Sequence, residues 1–362
     1  MDVETRFQLI KGAAREIITE EELRKLLETN TCPLAYDGFE PSGKAHIAFG
    51  VYRALLLKDL LKAGIKFNLW LADWFAWINN KMGGDIEKIK KVGDYFIEVW
   101  GAAGIDMSSV KVLRASQEMN QDYWKKVIVI AKHTTVERAT RCLSIMGRRA
   151  GELKETAQYF YPMMQCADIF HLGVDICQLG LDQRRVNILS REIADRLKWK
   201  KPILVHHHMI PGLEGQKQPE GYDEIRDVDI EIGSKMSKSK PSSCIYVHDS
   251  AAEIKEKIVK NAFCLPNEAK NNVVLEYFRE IIFRAFKEIK IERDKKYGGD
   301  ISFSNYSDLE KSYLAGKIHP LDLKNALAEY LDKLINPIRN HFEKNKKAKE
   351  LYSFVKTQEI TR

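Results

Sequence analysis

The feature that most constrains the fold is a regular alternation of short apolar segments with longer segments of helical periodicity. The segments with strand character are residues 34–36, 67–74, 110–113, 176–179 and 203–205, and those with helical periodicity include residues 46–61, 85–100 and 184–197. Strands that alternate with helices along a chain are typical of a parallel sheet covered by helices. We therefore predict an α/β fold built on a parallel sheet.

Two segments depart from this alternation. The first thirty residues repeat apolar positions at helical spacing, Ile17 and Ile18 among them, which predicts an N-terminal helical arm. Residues 117–160 are mostly of helical character and contain Arg148 and Arg149. We interpret that stretch as a helical insertion between two halves of the sheet.

Strand signals fade in the last third of the chain. Helical periodicity is carried there by residues 253–263, 273–289, 320–341 and 346–355. We therefore predict a domain over residues 31–241, which contains the insertion, followed by an all-helical domain over residues 242–362.

The composition restricts the class of protein further. With 362 residues, 44% hydrophobic and 30% charged, the chain can bury a sizeable core. Its six cysteines are scattered without a CxxC pair, which favours reduced thiols over a disulfide framework. We expect a cytoplasmic protein without a membrane span, because the chain begins without an apolar signal segment and its apolar stretches are short. The net charge of +7 permits a polyanionic partner without requiring one.

The first segment that could carry chemistry follows the first predicted strand. Residues 36–49 read Tyr-Asp-Gly-Phe-Glu-Pro-Ser-Gly-Lys-Ala-His-Ile-Ala-Phe and open a predicted helix. Gly38 and Gly43 allow backbone amides to approach a ligand closely, and a helix N-terminus favours phosphate. The alternative is a tight turn with a half-buried His46. The spacing matches neither a dinucleotide-binding motif nor a P-loop.

The second such segment is a Lys- and Ser-rich loop after the last predicted strand. Residues 233–240 read Gly-Ser-Lys-Met-Ser-Lys-Ser-Lys and lack apolar periodicity. Ammonium groups on a flexible loop suit a triphosphate, whereas a plain solvated linker is the alternative. The combination of both segments, in this order, decides between the interpretations.

A Pro-Ser-Gly-x-x-His turn after the first strand and Lys-Met-Ser-Lys-Ser after the last resemble the two signatures of class I aminoacyl-tRNA synthetases. Three further matches are Tyr-Pro-x-x-Gln-x-x-Asp at residues 161–168, Gly-Leu-Asp-Gln-Arg at residues 180–184 and His-Pro-x-Asp-Leu-Lys at residues 319–324. Together they resemble the tyrosyl-tRNA synthetases of the archaeal and eukaryotic cytosolic type. The resemblance extends from the arm near Ile18 to Phe342.

That resemblance implies a Rossmann-like catalytic domain, a helical anticodon-binding domain and a homodimer formed through the insertion. Members of the family join L-tyrosine to ATP as tyrosyl-adenylate, release pyrophosphate, and transfer tyrosine to the 3′ end of tRNA(Tyr). ATP is then a substrate that brings Mg²⁺ with it, with no tightly bound cofactor and no metal site built by the protein. Such a reaction needs positioning and charge stabilisation more than a general base.

The resemblance also implies roles for individual residues, on the positions that match the family. The catalytic residues would be Ser42, His46, Lys235 and Lys238, which hold the departing phosphates. ATP would contact Gly38, His46, Asp182, Lys235, Met236, Ser237 and Lys238. The substrate phenol would meet Tyr36 and Asp168, and its ammonium end Glu40, Tyr161, Gln165 and Gln183. The tRNA acceptor stem would meet Arg141, Arg184 and Arg185, and the anticodon Tyr297, His319 and Asp322.

The first signature departs from the common His-x-Gly-His pattern of the family, because Ala48 and Phe49 replace the glycine and the second histidine. Two rival hypotheses stay open. A tryptophanyl-tRNA synthetase shares the architecture, but Tyr36 with Asp168 argues against it because an indole only donates a hydrogen bond. A non-catalytic RNA-binding relative would keep the fold, but it would be free to lose His46, Gln183 and the Lys-Met-Ser-Lys-Ser loop.

Overall fold

The computed structural model describes residues 1–147 and 150–358, so Arg148, Arg149 and the end of the predicted C-terminal domain lie outside the described residues. Strands of the main sheet are β1 Glu16–Ile18, β2 Leu34–Phe39, β3 Lys66–Leu71, β4 Val110–Arg114, β5 Ile176–Cys177 and β6 Ile203–His206. Their spatial order is β1-β6-β5-β2-β3-β4. Strands β2 to β6 pair in parallel, and β1 joins β6 in antiparallel fashion. The predicted parallel sheet is confirmed.

Helices pack around the sheet and make up most of the region that follows it. In the first part of the chain they are α1 Val3–Gly12, α2 Glu20–Thr29, α3 Arg53–Lys62, α4 Asp73–Ile78, α5 Ile86–Ala102, α6 Ala115–Glu118, α7 Gln121–Lys132, α8 Val136–Cys142, α9 Tyr161–His171, α10 Arg184–Leu197 and α11 Arg226–Ser234. The C-terminal part contains α12 Ala251–Asn261, α13 Val273–Tyr277, α14 Phe283–Ala285, α15 Tyr306–Leu314, α16 Pro320–Lys344 and α17 Lys346–Lys356, with a hairpin of β7 Ile289–Ile291 and β8 Ile301–Phe303. None of the helices in the described ranges is both long and apolar enough to cross a bilayer.

Three local predictions were wrong. Residues 16–18 form β1 rather than helix, because this β-branched stretch pairs with the exposed edge of β6. Helix α4 begins at Asp73 inside the predicted strand 67–74, and the Asp73 carboxylate accepts hydrogen bonds from the backbone amides of Trp74 and Ser116. Ile289 begins β7 instead of ending a helix. Short apolar runs do not distinguish helix from strand by periodicity alone.

The apolar core is continuous across the predicted boundary between residues 241 and 242. One cluster of buried side chains extends from Phe7 in α1 through Trp100 in α5 to Val355 in α17. Backbone hydrogen bonds join the turn of the first signature to the segment after the Lys- and Ser-rich loop, from Ile47 to the Ile245 carbonyl at 2.9 Å and from Val247 to the Ala45 carbonyl at 3.1 Å. The C-terminal part therefore packs directly against the turn that carries His46.

A buried ion pair anchors α3 to the sheet. The Arg53 guanidinium, 2% exposed, lies 2.9 Å from the Asp37 carboxylate of β2 and faces the Phe67 ring. We expect Arg53→Met to lower the free energy of unfolding by about 3–5 kcal/mol, since it leaves a buried carboxylate without its cation. The measurement is urea denaturation followed by circular dichroism.

The exposed pair Lys11–Glu20 supplies the control, because Lys11→Ala should change the free energy of unfolding by less than about 1 kcal/mol. Adding Asp37→Leu to Arg53→Met should recover part of the loss. An Arg53→Met variant as stable as the Lys11→Ala variant would contradict the proposed anchoring role.

Candidate active site

A cavity of about 1010 Å³ opens at the carboxyl ends of the parallel strands, where α/β folds commonly bind ligands. Tyr36 and Gly38 lie on β2, Asp182 and Gln183 follow β5, and the Lys- and Ser-rich loop follows α11. The cavity brings together these predicted site residues: Tyr36, Gly38, Glu40, Ser42, Tyr161, Gln165, Asp168, Asp182, Gln183, Lys235, Met236, Ser237 and Lys238. Residues from segments far apart in sequence thus share one site.

The two signature loops meet at one end of this cavity. The Lys238 ammonium donates to the Ser42 hydroxyl at 3.1 Å, although the two residues are 196 positions apart. Burial lowers the pKa of Lys238 to about 8. A cation and a hydroxyl side by side at a glycine-containing turn can bind phosphate oxygens.

His46, unlike the other predicted catalytic residues, does not line the cavity. It is half-buried close enough to Lys238 to feel its charge, and its backbone forms a bridge with Tyr246. Burial, reinforced by the charges of Lys238 and Lys235, lowers the pKa of His46 to about 3, so the imidazole is neutral at physiological pH. Its Nδ1 accepts a hydrogen bond from the Phe49 amide at 3.4 Å. The proton therefore resides on Nε2, which makes His46 an uncharged hydrogen-bond donor.

Lys235 and Asp182 form the second charged contact of the phosphate end. The Lys235 ammonium lies 2.6 Å from the Asp182 carboxylate. Burial acts to lower the pKa of Lys235, but Asp182 outweighs it and raises that pKa, so Lys235 is a cation. The Asp182 carboxylate thus contacts the Lys235 ammonium and also lines the cavity, where it could accept a hydrogen bond from a sugar hydroxyl of a nucleotide.

Tyr36 and Asp168 supply a hydroxyl and a carboxyl group to one part of the cavity, the deep end, which Trp70 and Phe75 also line. Tyr36 is fully buried, and its hydroxyl has no hydrogen-bond partner among the described residues. Burial, together with nearby charges that include Asp168, raises the pKa of Tyr36 well above its usual value. Asp168 is 2% exposed and lies 2.8 Å from the Tyr123 hydroxyl. An unpartnered buried hydroxyl beside a buried carboxyl group suits a ligand that also carries a hydroxyl.

Between the deep end and the phosphate end lies a set of hydrogen-bonded polar side chains. The Tyr161 hydroxyl donates to Glu40 at 2.7 Å, and the Gln165 amide donates to Gln183 at 2.9 Å. Tyr161, Gln165 and Asp168 follow one another along the cavity face of α9, as their spacing predicts. A carboxylate and amide oxygens at this position suit an ammonium group.

Sequence reasoning missed three polar residues of the cavity or its wall. Asn79 donates to Glu40 at 3.0 Å, and the Lys81 ammonium lies 3.9 Å from Glu40. Tyr123, on α7, reaches Asp168 across 45 positions of sequence. The Asn-Asn-Lys run at residues 79–81 could have indicated the first two, whereas no local pattern pointed to Tyr123.

The departure from the first signature has a structural role. Phe49 lies in a π-helical turn, Ala48–Tyr52, and its ring centroid lies 4.1 Å from that of Phe96 and 5.1 Å from that of Trp100. The residue at this position therefore joins an aromatic cluster. Packing contacts of this kind replace whatever hydrogen bonds a second histidine would make.

The three arginines predicted to meet the acceptor stem lie together on α8 and α10. The Arg185 guanidinium donates to the Arg141 carbonyl at 2.9 Å. Arg184 binds the Glu16 carboxylate of β1 at 3.0 Å, whereas Arg141 is about half exposed and faces Glu137 and Glu224 at longer range. Arg141 is thus the most accessible of the three cations.

The residues predicted to read the anticodon lie on two adjoining segments, the β7–β8 connection and the N-terminal end of α16. Tyr297 is exposed in the β7–β8 connection, and exposed His319 caps α16 by accepting a hydrogen bond from the Leu321 amide at 3.1 Å. Arg293 donates to the Gly299 and Lys317 carbonyls, which ties the two segments together. Asp322 lies in the first turn of α16 and lines a cavity of about 770 Å³ with Arg293.

Comparisons with known proteins found a matching family and similar structures. Residues 29–218 and 229–336 match the family described as tRNA synthetases class I (W and Y). A cytoplasmic tyrosine–tRNA ligase of Arabidopsis thaliana is 44% identical over 365 residues, covering 100% of this chain and 90% of the relative. The structure of a Pyrococcus horikoshii tyrosyl-tRNA synthetase complexed with L-tyrosine superimposes with a TM-score of 0.88 at 40% identity, over 98% of this chain and 100% of that one. A Leishmania major tyrosyl-tRNA synthetase in complex with tyrosinol gives a TM-score of 0.88 at 38% identity, over 99% of this chain and 66% of that one.

Proposed function

The chain belongs to the class I tRNA synthetases for tryptophan and tyrosine, and from that premise we propose that it is the tyrosine enzyme, a tyrosine–tRNA ligase. It activates L-tyrosine with ATP to tyrosyl-adenylate and pyrophosphate, then transfers tyrosine to the 3′ end of tRNA(Tyr). The observation that carries the proposal is the buried Tyr36 hydroxyl beside Asp168, in the cavity where the two signature loops converge. A phenol can donate to one group and accept from the other, whereas an indole can only donate.

In the activation step the substrate carboxylate attacks the α-phosphorus of ATP in line with the departing pyrophosphate. Negative charge grows on the bridging oxygen and on the pyrophosphate as it leaves. Lys235 and Lys238 neutralise that charge, while Ser42 and the Nε2–H of neutral His46 donate hydrogen bonds to it. Mg²⁺ enters with ATP as part of the substrate. Gly38 allows the backbone to approach the nucleotide closely, and the Asp182 carboxylate accepts hydrogen bonds from the ribose hydroxyls. Met236 and Ser237 contact ATP from the same loop as the two lysines.

The amino-acid end fixes the direction of the carboxylate. Glu40, Tyr161, Gln165 and Gln183 surround the ammonium group, and the Tyr161–Glu40 and Gln165–Gln183 hydrogen bonds hold these side chains in place beforehand. Tyr36 and Asp168 hold the opposite end of the substrate. Because both ends of the substrate are fixed, its carboxylate is already oriented toward the α-phosphorus, which lowers the entropic cost of the reaction.

The transfer step needs the 3′-terminal adenosine of tRNA at the same cavity. Arg141, Arg184 and Arg185 contact the acceptor stem, and Tyr297, His319 and Asp322 read the anticodon by stacking and hydrogen bonds. Residues 31–241 thus form the catalytic domain and residues 242–362 the anticodon-binding domain, with residues 1–30 as the arm. We place the enzyme in the cytoplasm, as the name of the Arabidopsis relative has it for that protein.

Helix α4 and helix α7 of the insertion together carry an apolar surface patch, for which we propose a second copy of this chain as the occupant. Trp74 and Trp77 are 36% and 44% exposed, and the Trp74 ring lies 6.4 Å from that of Trp124. Ile128, 67% exposed, follows Trp124 by one turn of α7. Exposed contiguous tryptophans of this kind mark protein interfaces.

We expect the double variant Trp77→Glu with Ile128→Glu to sediment as a monomer, since it places two charges in the proposed dimer interface. The wild-type chain should sediment as a dimer at the same micromolar concentration in analytical ultracentrifugation. Substituting exposed Leu314, which lies on α15 away from the patch, by Glu is the matched control and should leave the dimer intact. A monomeric wild-type chain would contradict the dimer proposal.

The function itself is tested by ATP–pyrophosphate exchange run with each amino acid separately, followed by aminoacylation of total tRNA. We expect exchange with tyrosine and the formation of tyrosyl-tRNA. Exchange with tryptophan but not tyrosine would identify the tryptophan enzyme, and absence of exchange with every amino acid would favour the non-catalytic RNA-binding relative.

A further inference from the structure

The Tyr123 hydroxyl contacts two oxygens at once. It lies 2.8 Å from the Met164 carbonyl and 2.8 Å from the Asp168 carboxyl group, and all three residues are buried. Two oxygens separated by 2.8 Å require a proton between them, because without one they repel each other. A phenol supplies a single proton, so Tyr123 can donate to only one of its two neighbours.

The two contacts of the Tyr123 hydroxyl need two protons, and only one of them can come from Tyr123 itself. The Met164 carbonyl carries no proton and can only accept, so the Tyr123 proton points to it when both contacts are satisfied. The contact with Asp168 then needs a proton on the carboxyl group. No lysine, arginine or histidine among the described residues pairs with Asp168, so no cation favours its ionised form. Burial raises the pKa of Asp168 well above its usual value, because it outweighs the hydrogen bond with Tyr123, which acts to lower that pKa.

We propose that Asp168 is held as a neutral carboxylic acid, that its proton is donated to Tyr123, and that its other oxygen accepts the hydroxyl proton of the tyrosine substrate. Tyr123 is then a positioning residue that acts through Asp168. This inference rests on the proposed function, because it specifies how the same site recognises the phenol.

The consequence is a hydrogen-bond chain with a fixed direction. The Tyr36 hydroxyl, which has no partner among the described residues, donates to the substrate hydroxyl. The substrate hydroxyl donates to Asp168, Asp168 donates to Tyr123, and Tyr123 donates to the Met164 carbonyl. Bonds aligned in one direction in this way strengthen one another. Phenylalanine lacks the hydroxyl in the middle of this series of hydrogen bonds, so it leaves the buried Tyr36 hydroxyl and the buried Asp168 carboxyl group without a partner.

A neutral acid and a carboxylate respond differently to substitution by asparagine. In Asp168→Asn the new side-chain amide would accept from the substrate through its oxygen and donate to Tyr123 through its nitrogen, as the neutral acid does. We therefore expect Asp168→Asn to keep the preference for tyrosine over phenylalanine within about tenfold of wild type. Asp168→Ala should lose more than about 100-fold of that preference. The measurement is kcat/KM in ATP–pyrophosphate exchange for each amino acid.

Tyr123→Phe should raise KM for tyrosine with little change in kcat or in KM for ATP, because it loosens the acid without touching the phosphate end. Tyr159→Phe, at an exposed tyrosine, is the matched control and should change neither constant. A direct readout is infrared difference spectroscopy on tyrosine binding. The carbonyl band of a protonated carboxyl group should be present in wild type, shifted in Tyr123→Phe and absent in Asp168→Asn.

The outcomes separate the inference from the function. A wild-type enzyme that exchanges pyrophosphate with tyrosine but shows no protonated-carboxyl band, together with an Asp168→Asn variant as indiscriminate as Asp168→Ala, would overturn the neutral-acid assignment alone. A wild-type chain that does not activate tyrosine would overturn the proposed function as well. Retained preference in Asp168→Asn with the band present in wild type would support the assignment.

Discussion

Substitution of Lys238 by alanine is expected to lower the rate constant of tyrosyl-adenylate formation by about 10²–10³-fold, while the affinity for tyrosine changes little. Lys238 lies against Ser42 at the phosphate end, and its charge matters most when the pyrophosphate leaves. Its distance from the deep end, where Tyr36 and Asp168 lie, explains why tyrosine binding should be spared. The measurement is single-turnover formation of tyrosyl-adenylate by rapid quench with labelled ATP.

Lys240 offers a matched control on the same loop. Its ammonium pairs with Glu214 at 2.8 Å and is about half exposed, so Lys240→Ala should leave the rate constant within about threefold of wild type. His46→Ala should act like Lys238→Ala but more weakly, since His46 is a neutral donor. A Lys238→Ala variant with an unchanged rate constant would favour the non-catalytic interpretation of the fold.

Removal of one hydroxyl from the deep end is expected to cause the second large effect. Tyr36→Phe should reduce the preference for tyrosine over phenylalanine by about 10²-fold or more, because the substrate hydroxyl then loses its donor while phenylalanine no longer leaves a buried hydroxyl unpaired. The standard example of such discrimination, about 10⁵-fold, is itself a tyrosyl-tRNA synthetase, so the size of the wild-type preference is borrowed from that example rather than predicted. The measurement is the ratio of kcat/KM values for the two amino acids in pyrophosphate exchange.

Tyr161→Phe is the matched control for this prediction. Its hydroxyl bonds Glu40 at the ammonium end, a part that tyrosine and phenylalanine share. The variant should therefore weaken both substrates equally and leave their ratio unchanged. If Tyr36→Phe and Tyr161→Phe gave the same ratio as wild type, recognition of the phenol by Tyr36 would be refuted.

The sheet and most helices followed from the sequence because their signals are local. Helix α10 has the predicted bounds, and the strand at β2 was located by its apolar run and the turn that follows. The strand β1 was not predictable, because residues 16–18 become a strand only through pairing with β6. The hairpin of β7 and β8 was not predicted either, because three-residue strands carry almost no periodicity.

The residues of the site likewise fall into those that local motifs predict and those that depend on packing between distant segments. Motifs predicted that Tyr36, Ser42, Asp168 and Lys238 belong to one site, because the segments that contain them occur together in an order that resembles one family, and the four residues line one cavity. Tyr123 was out of reach, since its partner Asp168 lies 45 positions away and the surrounding α7 sequence reads as an ordinary amphipathic helix. Contacts between elements that are distant in sequence depend on packing, which the pattern of a single segment does not encode.

The measurement that tests the central claim most directly is a crystal structure with L-tyrosine and a non-hydrolysable ATP analogue bound together. We predict that the phenol oxygen lies within hydrogen-bond distance of both Tyr36 and Asp168, and that the β- and γ-phosphates lie within hydrogen-bond distance of Ser42 and Lys238. A phenol ring turned toward the phosphate end, or a triphosphate bound away from either signature loop, would contradict that claim.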